Sequence, residues 1–146
     1  QLTDELLSED ENKYHAFLIL DVDCFKQIND IYGHAVGDIV LQKFGKLLKG
    51  TFREGDILGR IGGDEFGVIM KNIQTKDIAM KKAEELLAKT QAYKIDELKG
   101  NNISISIGIS TAPQDGDCYM DLYKRADQAL YQAKRSGKAR VCNYFS

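Results

Sequence analysis

Arg60-Ile61-Gly62-Gly63-Asp64-Glu65-Phe66-Gly67-Val68-Ile69-Met70 is the stretch on which the fold of this chain turns. Apolar runs flank a Gly-Gly-Asp tip, so the segment predicts two strands joined by a short hairpin, the adjacent glycines supplying the positive φ that such turns need. Asp64 and Glu65 follow at once. A bare backbone beside two acids suits close approach of a phosphate to main-chain N–H groups and of a divalent cation to the carboxylates. A plain structural hairpin is the competing reading, because Gly-Gly and Gly-Asp turns are common.

Working outward, Ala16 to Leu20 is a continuous apolar run, short enough for a strand buried on both faces, and it ends in Asp21-Val22-Asp23. Carboxylates there are costly unless solvated or metal-bound. If this strand neighbours the hairpin, Asp21, Asp64 and Glu65 converge on an oxygen-ligand pocket suited to Mg²⁺, which takes a few carboxylates, a backbone carbonyl and phosphate oxygens. The alternative is that Asp21 and Asp23 merely end a strand.

Phe25 to Tyr32 carries Phe25, Ile28 and Ile31 at helical spacing, and Gly33 breaks it. A longer helix from Val36 turns Val40, Phe44, Leu47 and Leu48 inward, with Lys43, Lys46 and Lys49 largely opposite, and Gly50 stops it. Asp56 to Ile61 and Phe66 to Met70 are the expected hairpin strands. Thr75 to Tyr93 reads as a lysine-rich helix with Ile78, Ala83, Leu86 and Leu87 inward. Ile103 to Ile109 alternates strictly, the mark of a strand with one strongly apolar face. Leu122, Ala126, Ala129, Leu130 and Ala133 define the last long helix, closed by Gly137, and Arg140 to Asn143 is a candidate final strand. Residues 1–15 are polar and acidic with Leu2, Leu6 and Leu7 at helical spacing, a short amphipathic helix by expectation. Strands and helices mix without strict alternation, which predicts an α+β fold with helices packed on an antiparallel or mixed sheet.

At 146 residues the chain fits one domain around one core. Twenty basic against 22 acidic residues leave a net charge of −2, so no basic field points to nucleic acid or an anionic membrane, and any nucleotide must be held locally. No apolar run approaches the roughly 20 residues of a membrane span, and the acidic opening from Asp4 to Glu11 does not resemble a signal peptide. Cys24, Cys118 and Cys142 are odd in number and widely spaced, which reads as reduced thiols rather than a disulfide framework or zinc site. A cytoplasmic location is expected, either free or as the cytoplasmic domain of a membrane-anchored parent.

Gly62-Gly63-Asp64-Glu65-Phe66 resembles the signature of the GGDEF family, the diguanylate cyclases, and further matches follow in chain order. Asp21-Val22-Asp23-Cys24-Phe25-Lys26-Gln27-Ile28-Asn29-Asp30, with Gly33-His34 and Gly37-Asp38, is similar to the family's D-x-D-x-F-K-x-x-N-D, G-H and G-D run. Ser104 to Gly108 is similar to its late S-I-G strand, and Ala126-Asp127 through Tyr131-Gln132-Ala133-Lys134 to Gly137-Lys138 is similar to its last helix. These matches place the domain at residues 16–146. The D-x-L-T-x-L-x-N-R turn with which the family usually opens has no counterpart in residues 1–15, which are read as a truncated or divergent helical segment.

The resemblance implies a palm-like, mixed but mainly antiparallel sheet flanked by helices, as in nucleotidyl cyclases, and condensation of two GTP molecules into cyclic di-GMP and two pyrophosphates. It assigns Asp21, the carbonyl of Val22, Asp64 and Glu65 to Mg²⁺ or Mn²⁺, two ions per site, with Asp64 or Glu65 as the catalytic base. Gly62 and Gly63 would let the hairpin backbone reach the phosphates, Asn29 and Asp38 would read the guanine edge, and His34 would sit near the nucleotide. Lys26, Lys134 and Lys138 would neutralise triphosphate charge. One domain binds one GTP, so the product requires two domains face to face in a homodimer. An upstream sensory or regulatory domain is a further expectation, with no nucleic-acid partner and no direct membrane contact.

Arg53-Glu54-Gly55-Asp56 is similar to the family's R-x-x-D motif and implies a site where cyclic di-GMP acts as inhibitor. Arg53 can fork onto a phosphate or a guanine Hoogsteen edge, and Asp56 can accept from the Watson–Crick edge. An ordinary surface ion pair is the alternative, and the helix around Lys81 to Leu87 offers no second arginine. The rival for the whole domain is a non-catalytic module that binds GTP or cyclic di-GMP, which the intact hairpin signature disfavours.

Overall fold

A strand with no polar face to leave in water has to sit at the centre of a sheet covered on both sides, and Tyr14–Val22 is such a strand. In the computed structural model, which describes residues 13–144, it forms β1. There follow α1 (Phe25–Tyr32), α2 (His34–Thr51), β2 (Ile57–Gly62), β3 (Glu65–Ile73), α3 (Asp77–Ala92), a 3₁₀ turn (Asp96–Leu98), β4 (Ile105–Ala112), α4 (Tyr119–Arg135) and β5 (Val141–Asn143). The sheet runs β2-β3-β1-β4-β5, antiparallel except where β5 lies parallel to β4. This is the α+β layout that the element order predicts.

Alternate residues of β1 serve two cores. Ala16, Leu18, Leu20 and Val22 pack with Val40, Phe44 and Leu48 of α2 and with Ala83 and Leu86 of α3. Phe17 and Ile19 pack with Ile69 of β3 and with Leu122, Ala126 and Leu130 of α4. Full burial of each large apolar side chain contributes about 1.5–3 kcal/mol. At the hairpin, Phe66 meets Phe44 edge to face with centroids 5.2 Å apart, which seats β3 on α2. Truncation of Phe66 to alanine should cost about 3–5 kcal/mol.

Three expectations need correction. β1 begins at Tyr14, not Ala16: Tyr14 opposes Ile73, His15 opposes Ala112, and His15 Nδ1 accepts the Asn72 N–H at 3.0 Å. Tyr14 and His15 are therefore strand, and the rest of the expected N-terminal helix, residues 1–12, lies outside the described residues. Ile31, expected inward, is 73% exposed. Each i+3 step falls about 60° behind a full turn, so on a narrow stripe that buries Phe25 and Ile28 against the main core the third member has rotated out. Finally, β4 starts at Ile105 and is buried along its whole length rather than on one face. Gly108 and Ser110 lie against α4, where the Ser110 hydroxyl donates to the Leu122 carbonyl at 2.7 Å and a Cβ at Gly108 would stand 2.8 Å from Leu130 Cα and run into the Ala126 carbonyl, while Ser106 donates to Asp23. Its alternation records large against small side chains, not core against water. No described helix is long and apolar enough to cross a membrane.

Candidate active site

Antiparallel pairing sets Asp21 opposite Glu65 of β3 on one side and Ser106 of β4 on the other. The Val22 N–H donates to the Asp64 carbonyl at 3.3 Å. The end of β1, the tip of the hairpin and the last turn of α4 thus meet at one end of the sheet. Asp21 is 6% exposed. Its Oδ2 is ion-paired with Lys134 of α4, while its Oδ1 is buried with no donor among the described residues reaching it. Burial, then the neighbouring Asp64 carboxyl, push Asp21 up to about 7 against the opposing pull of Lys134. Glu65 is also held above its usual range by burial and by Asp127, opposed by the Tyr123 hydroxyl, which donates to Glu65 Oε1 at 3.4 Å. For Lys134 burial opposes the charge, yet Asp21 and Asp64 outweigh it and raise the ammonium above its ordinary value.

This donor set fits a hard divalent cation. It offers carboxylates and a strand-end carbonyl, with one buried oxygen in want of a positive partner. The acids must still draw together around an ion: among the described residues, the group whose ligand atoms all lie within 4.8 Å of one another is Asp117, Cys118 and Asp121, ahead of and within the first turn of α4.

At the hairpin tip Gly63 has φ +34°, and Arg60 Nε braces it by donating to the Gly63 carbonyl at 2.8 Å. Arg60 and Phe66 also line a cleft of about 300 Å³ with Asp38, Leu41 and Gln42 of α2, at the lower end of small-molecule sites. Asn29 is half-buried on α1 with its amide against Gly37: a Cβ there would run into Asn29 Oδ1 and come within 3.2 Å of Phe25 Cζ. Lys26 and His34 are exposed in the first turns of α1 and α2. Lys138 follows α4 in the left-handed region, its Nζ 3.3 Å from Cys24 Sγ. Asp21, Asp64 and Glu65 thus lie at one end of the sheet, where Lys134, expected to face a triphosphate, is instead ion-paired with Asp21, and Asp38 shares a cleft with Arg60 and Phe66.

Arg53 and Asp56 form a pair at the other end of the hairpin. Asp56 Oδ1 accepts from Arg53 Nε at 3.0 Å and Oδ2 from the Arg53 N–H at 3.2 Å, and the guanidinium also donates to the Lys71 carbonyl. The Asp56 side chain has no exposed surface, whereas that of Arg53 is 52% exposed. Asp56 therefore anchors the arginine, and it can accept from a ligand only if the pair opens. Sequence reasoning missed Arg60 and Tyr123. Arg60 could have been noticed from its place two residues before the tip; nothing in the spacing of Tyr123 announces its contact with Glu65.

Comparison with known proteins identifies the family. A family model described as "Diguanylate cyclase, GGDEF domain" matches residues 1–140. Diguanylate cyclase A of Treponema denticola is 40% identical over 127 residues, which cover 86% of this chain and 34% of that protein. The crystal structure of the GGDEF domain of YfiN, also called TpbB, from Pseudomonas aeruginosa matches with a TM-score of 0.93 at 32% identity, over 99% of this chain and 91% of that one. The GGDEF domain of DgcB from Caulobacter crescentus, solved in complex with cyclic di-GMP, matches with a TM-score of 0.86 at 26% identity, over 97% and 85% of the two chains. The chain thus spans about a third of the curated cyclase but nearly all of each isolated domain. By sequence and by fold alike, it belongs to the GGDEF domain family of the diguanylate cyclases.

Proposed function

We propose that this domain is one half of a diguanylate cyclase, which binds one GTP and, facing a second copy, joins two GTP molecules into cyclic di-GMP with release of two pyrophosphates. The observation that supports this most is the buried, donor-free Oδ1 of Asp21 at the sheet end shared with Asp64 and Glu65. Asp21, the Val22 carbonyl, Asp64 and Glu65 would hold Mg²⁺ or Mn²⁺, two ions in the complete site, which supply positive charge at the α-phosphate and the leaving pyrophosphate.

The chain's own residues do the rest. Gly62 and Gly63 expose hairpin N–H groups to the phosphates, and Lys134, released from Asp21 as the site fills, joins Lys26 and Lys138 in neutralising them. Asp38 accepts from guanine N–H donors, the Asn29 amide serves the acceptors, and His34 flanks the nucleotide. The 3′-hydroxyl of one GTP attacks the α-phosphorus of the other; its proton passes to Asp64 or Glu65, and the bond to the pyrophosphate oxygen breaks. Glu65, held above the usual carboxylate range, suits that role. The 3′-hydroxyl of the second GTP then attacks the α-phosphorus of the first in the same way, releasing the second pyrophosphate and closing the ring.

Product is proposed to act back at the half-exposed Arg53, oriented by Asp56. The greater length of the cyclase relative supports further, regulatory domains in the full protein, and a nucleoside triphosphate substrate supports a cytoplasmic location. The test is to incubate the protein with GTP and Mg²⁺ over a range of protein concentrations and follow cyclic di-GMP by chromatography. A rate that rises faster than linearly with protein is expected. GTP binding without product at any concentration would instead assign a non-catalytic nucleotide-binding module.

A further inference from the structure

Asp23 stands two residues beyond Asp21 but has a different task. Its carboxylate is 7% exposed and fully engaged: Oδ1 accepts from Ser106 Oγ at 2.6 Å, and Oδ2 accepts from Ser104 Oγ at 2.6 Å and from the Ala139 N–H at 3.1 Å. A charge taken out of water is kept only where donors replace the water, and here three do. The serines tie the end of β1 to the start of β4. The third donor ties it to the turn between α4 and β5.

That turn is strained. Lys138 and Ala139 have φ of +63° and +51° in succession, a region disfavoured for any residue with a Cβ and held only where the surroundings impose it. Lys138 N donates to the Ala133 carbonyl at 3.0 Å, and Ile107 N to the Arg140 carbonyl at 3.0 Å, which fixes the two ends of the turn. Asp23 grips its middle. The Lys138 ammonium reaches back to Cys24 Sγ at 3.3 Å, so the lysine tip lies beside the residue next to the carboxylate that holds the Ala139 N–H.

We infer that Asp23 is a positioning residue for Lys138, clamping the α4–β5 turn in the strained shape that presents this lysine to the triphosphate of a bound nucleotide. The inference rests on the proposed GTP site and deepens it. Asp23→Asn keeps the side chain's shape but leaves one acceptor oxygen for three donors.

The experiment is a double-variant cycle read by calorimetric binding of α,β-methylene-GTP with Mg²⁺, alongside GMP, which lacks the phosphates that Lys138 would meet. Asp23→Asn should weaken the triphosphate analogue roughly tenfold, the loss of one charge-assisted contact, and leave GMP affinity unchanged. Adding it to Lys138→Ala should cause no further loss. Equal weakening of both nucleotides, or additive losses in the double variant, would overturn the clamp while leaving the GTP site standing. An undiminished affinity of Lys138→Ala would instead remove the lysine from the GTP site, and the clamp's purpose with it. If Asp23→Asn does not fold, Ala139→Pro serves: proline has no N–H to give Asp23 and cannot adopt a positive φ, so it releases the turn while leaving the carboxylate in place. Analogue binding should then fall severalfold with GMP affinity unchanged, and unchanged analogue affinity would overturn the inference.

Discussion

Lys134 is ion-paired with Asp21 across 113 residues of chain, which joins the last helix to the central strand at the acidic end of the sheet. The pair supplies a positive charge to one oxygen of a buried carboxylate whose other oxygen has none. If Asp21 and Asp64 are the metal-binding acids, Asp21→Asn or Asp64→Asn should abolish turnover while leaving the fold intact, because a lost charged ligand weakens ion affinity and transition-state stabilisation by several kcal/mol as an order of magnitude. Cyclic di-GMP formation and circular dichroism together check this. Near-normal rates at saturating Mg²⁺ would withdraw the metal assignment.

The raised pKa of Asp21 makes a second prediction. Its folded value, about 7, lies above the ordinary aspartate value of 3.8, so in the metal-free protein this group contributes stability that is fully present below about pH 4 and is lost as pH rises through 7. An ion needs the charged form, so binding expels the proton. The stabilising effect of Mg²⁺ on thermal unfolding should therefore be weak at pH 6 and strong at pH 8, with about tenfold weaker affinity at the lower pH. Equal affinities at the two pH values would show that Asp21 is not the titrating ligand.

Much of this site could be read from the residues because its parts are local. The apolar run ending in Asp21, the glycines at the hairpin tip and the 25–32 helix each carry their own period or turn signal. The links between them were not legible. Asp23 meets Ala139, and Tyr123 meets Glu65, only because α4 lies across β1 and β4, which no spacing encodes. Asp56 was expected in a strand as a ligand acceptor; its burial depends on Arg53 folding back over it, a tertiary detail that the four-residue motif leaves open.

Base recognition gives a third prediction through a residue with no side chain. Gly37 leaves room for the Asn29 amide, and a methyl group there would collide with it. Gly37→Ala should displace Asn29 and leave a guanine group unpaired, at about 1–3 kcal/mol, so the preference for GTP over ATP should fall roughly tenfold or more. Competition binding of the two nucleotides measures this. An unaltered ratio would remove Asn29 from the guanine site.

The last prediction concerns feedback at Arg53. The guanidinium is half-exposed yet held at two points, by Asp56 and by the Lys71 carbonyl at the end of the hairpin remote from its tip. A product molecule caught there would act without touching the acids, by fixing the hairpin or by tying two domains in an unproductive arrangement. Arg53→Ala should therefore raise the final yield of cyclic di-GMP without raising the initial rate. The same substitution strips the buried Asp56 carboxylate of its charged partner, a loss of about 1–3 kcal/mol that lowers the thermal midpoint by several degrees. Progress curves must accordingly be run far below that midpoint, beside direct binding of cyclic di-GMP to an Asp64→Asn protein that makes none of its own. Superimposable progress curves and no binding would leave Arg53 and Asp56 with only the structural duty of pinning the start of β2 to β3.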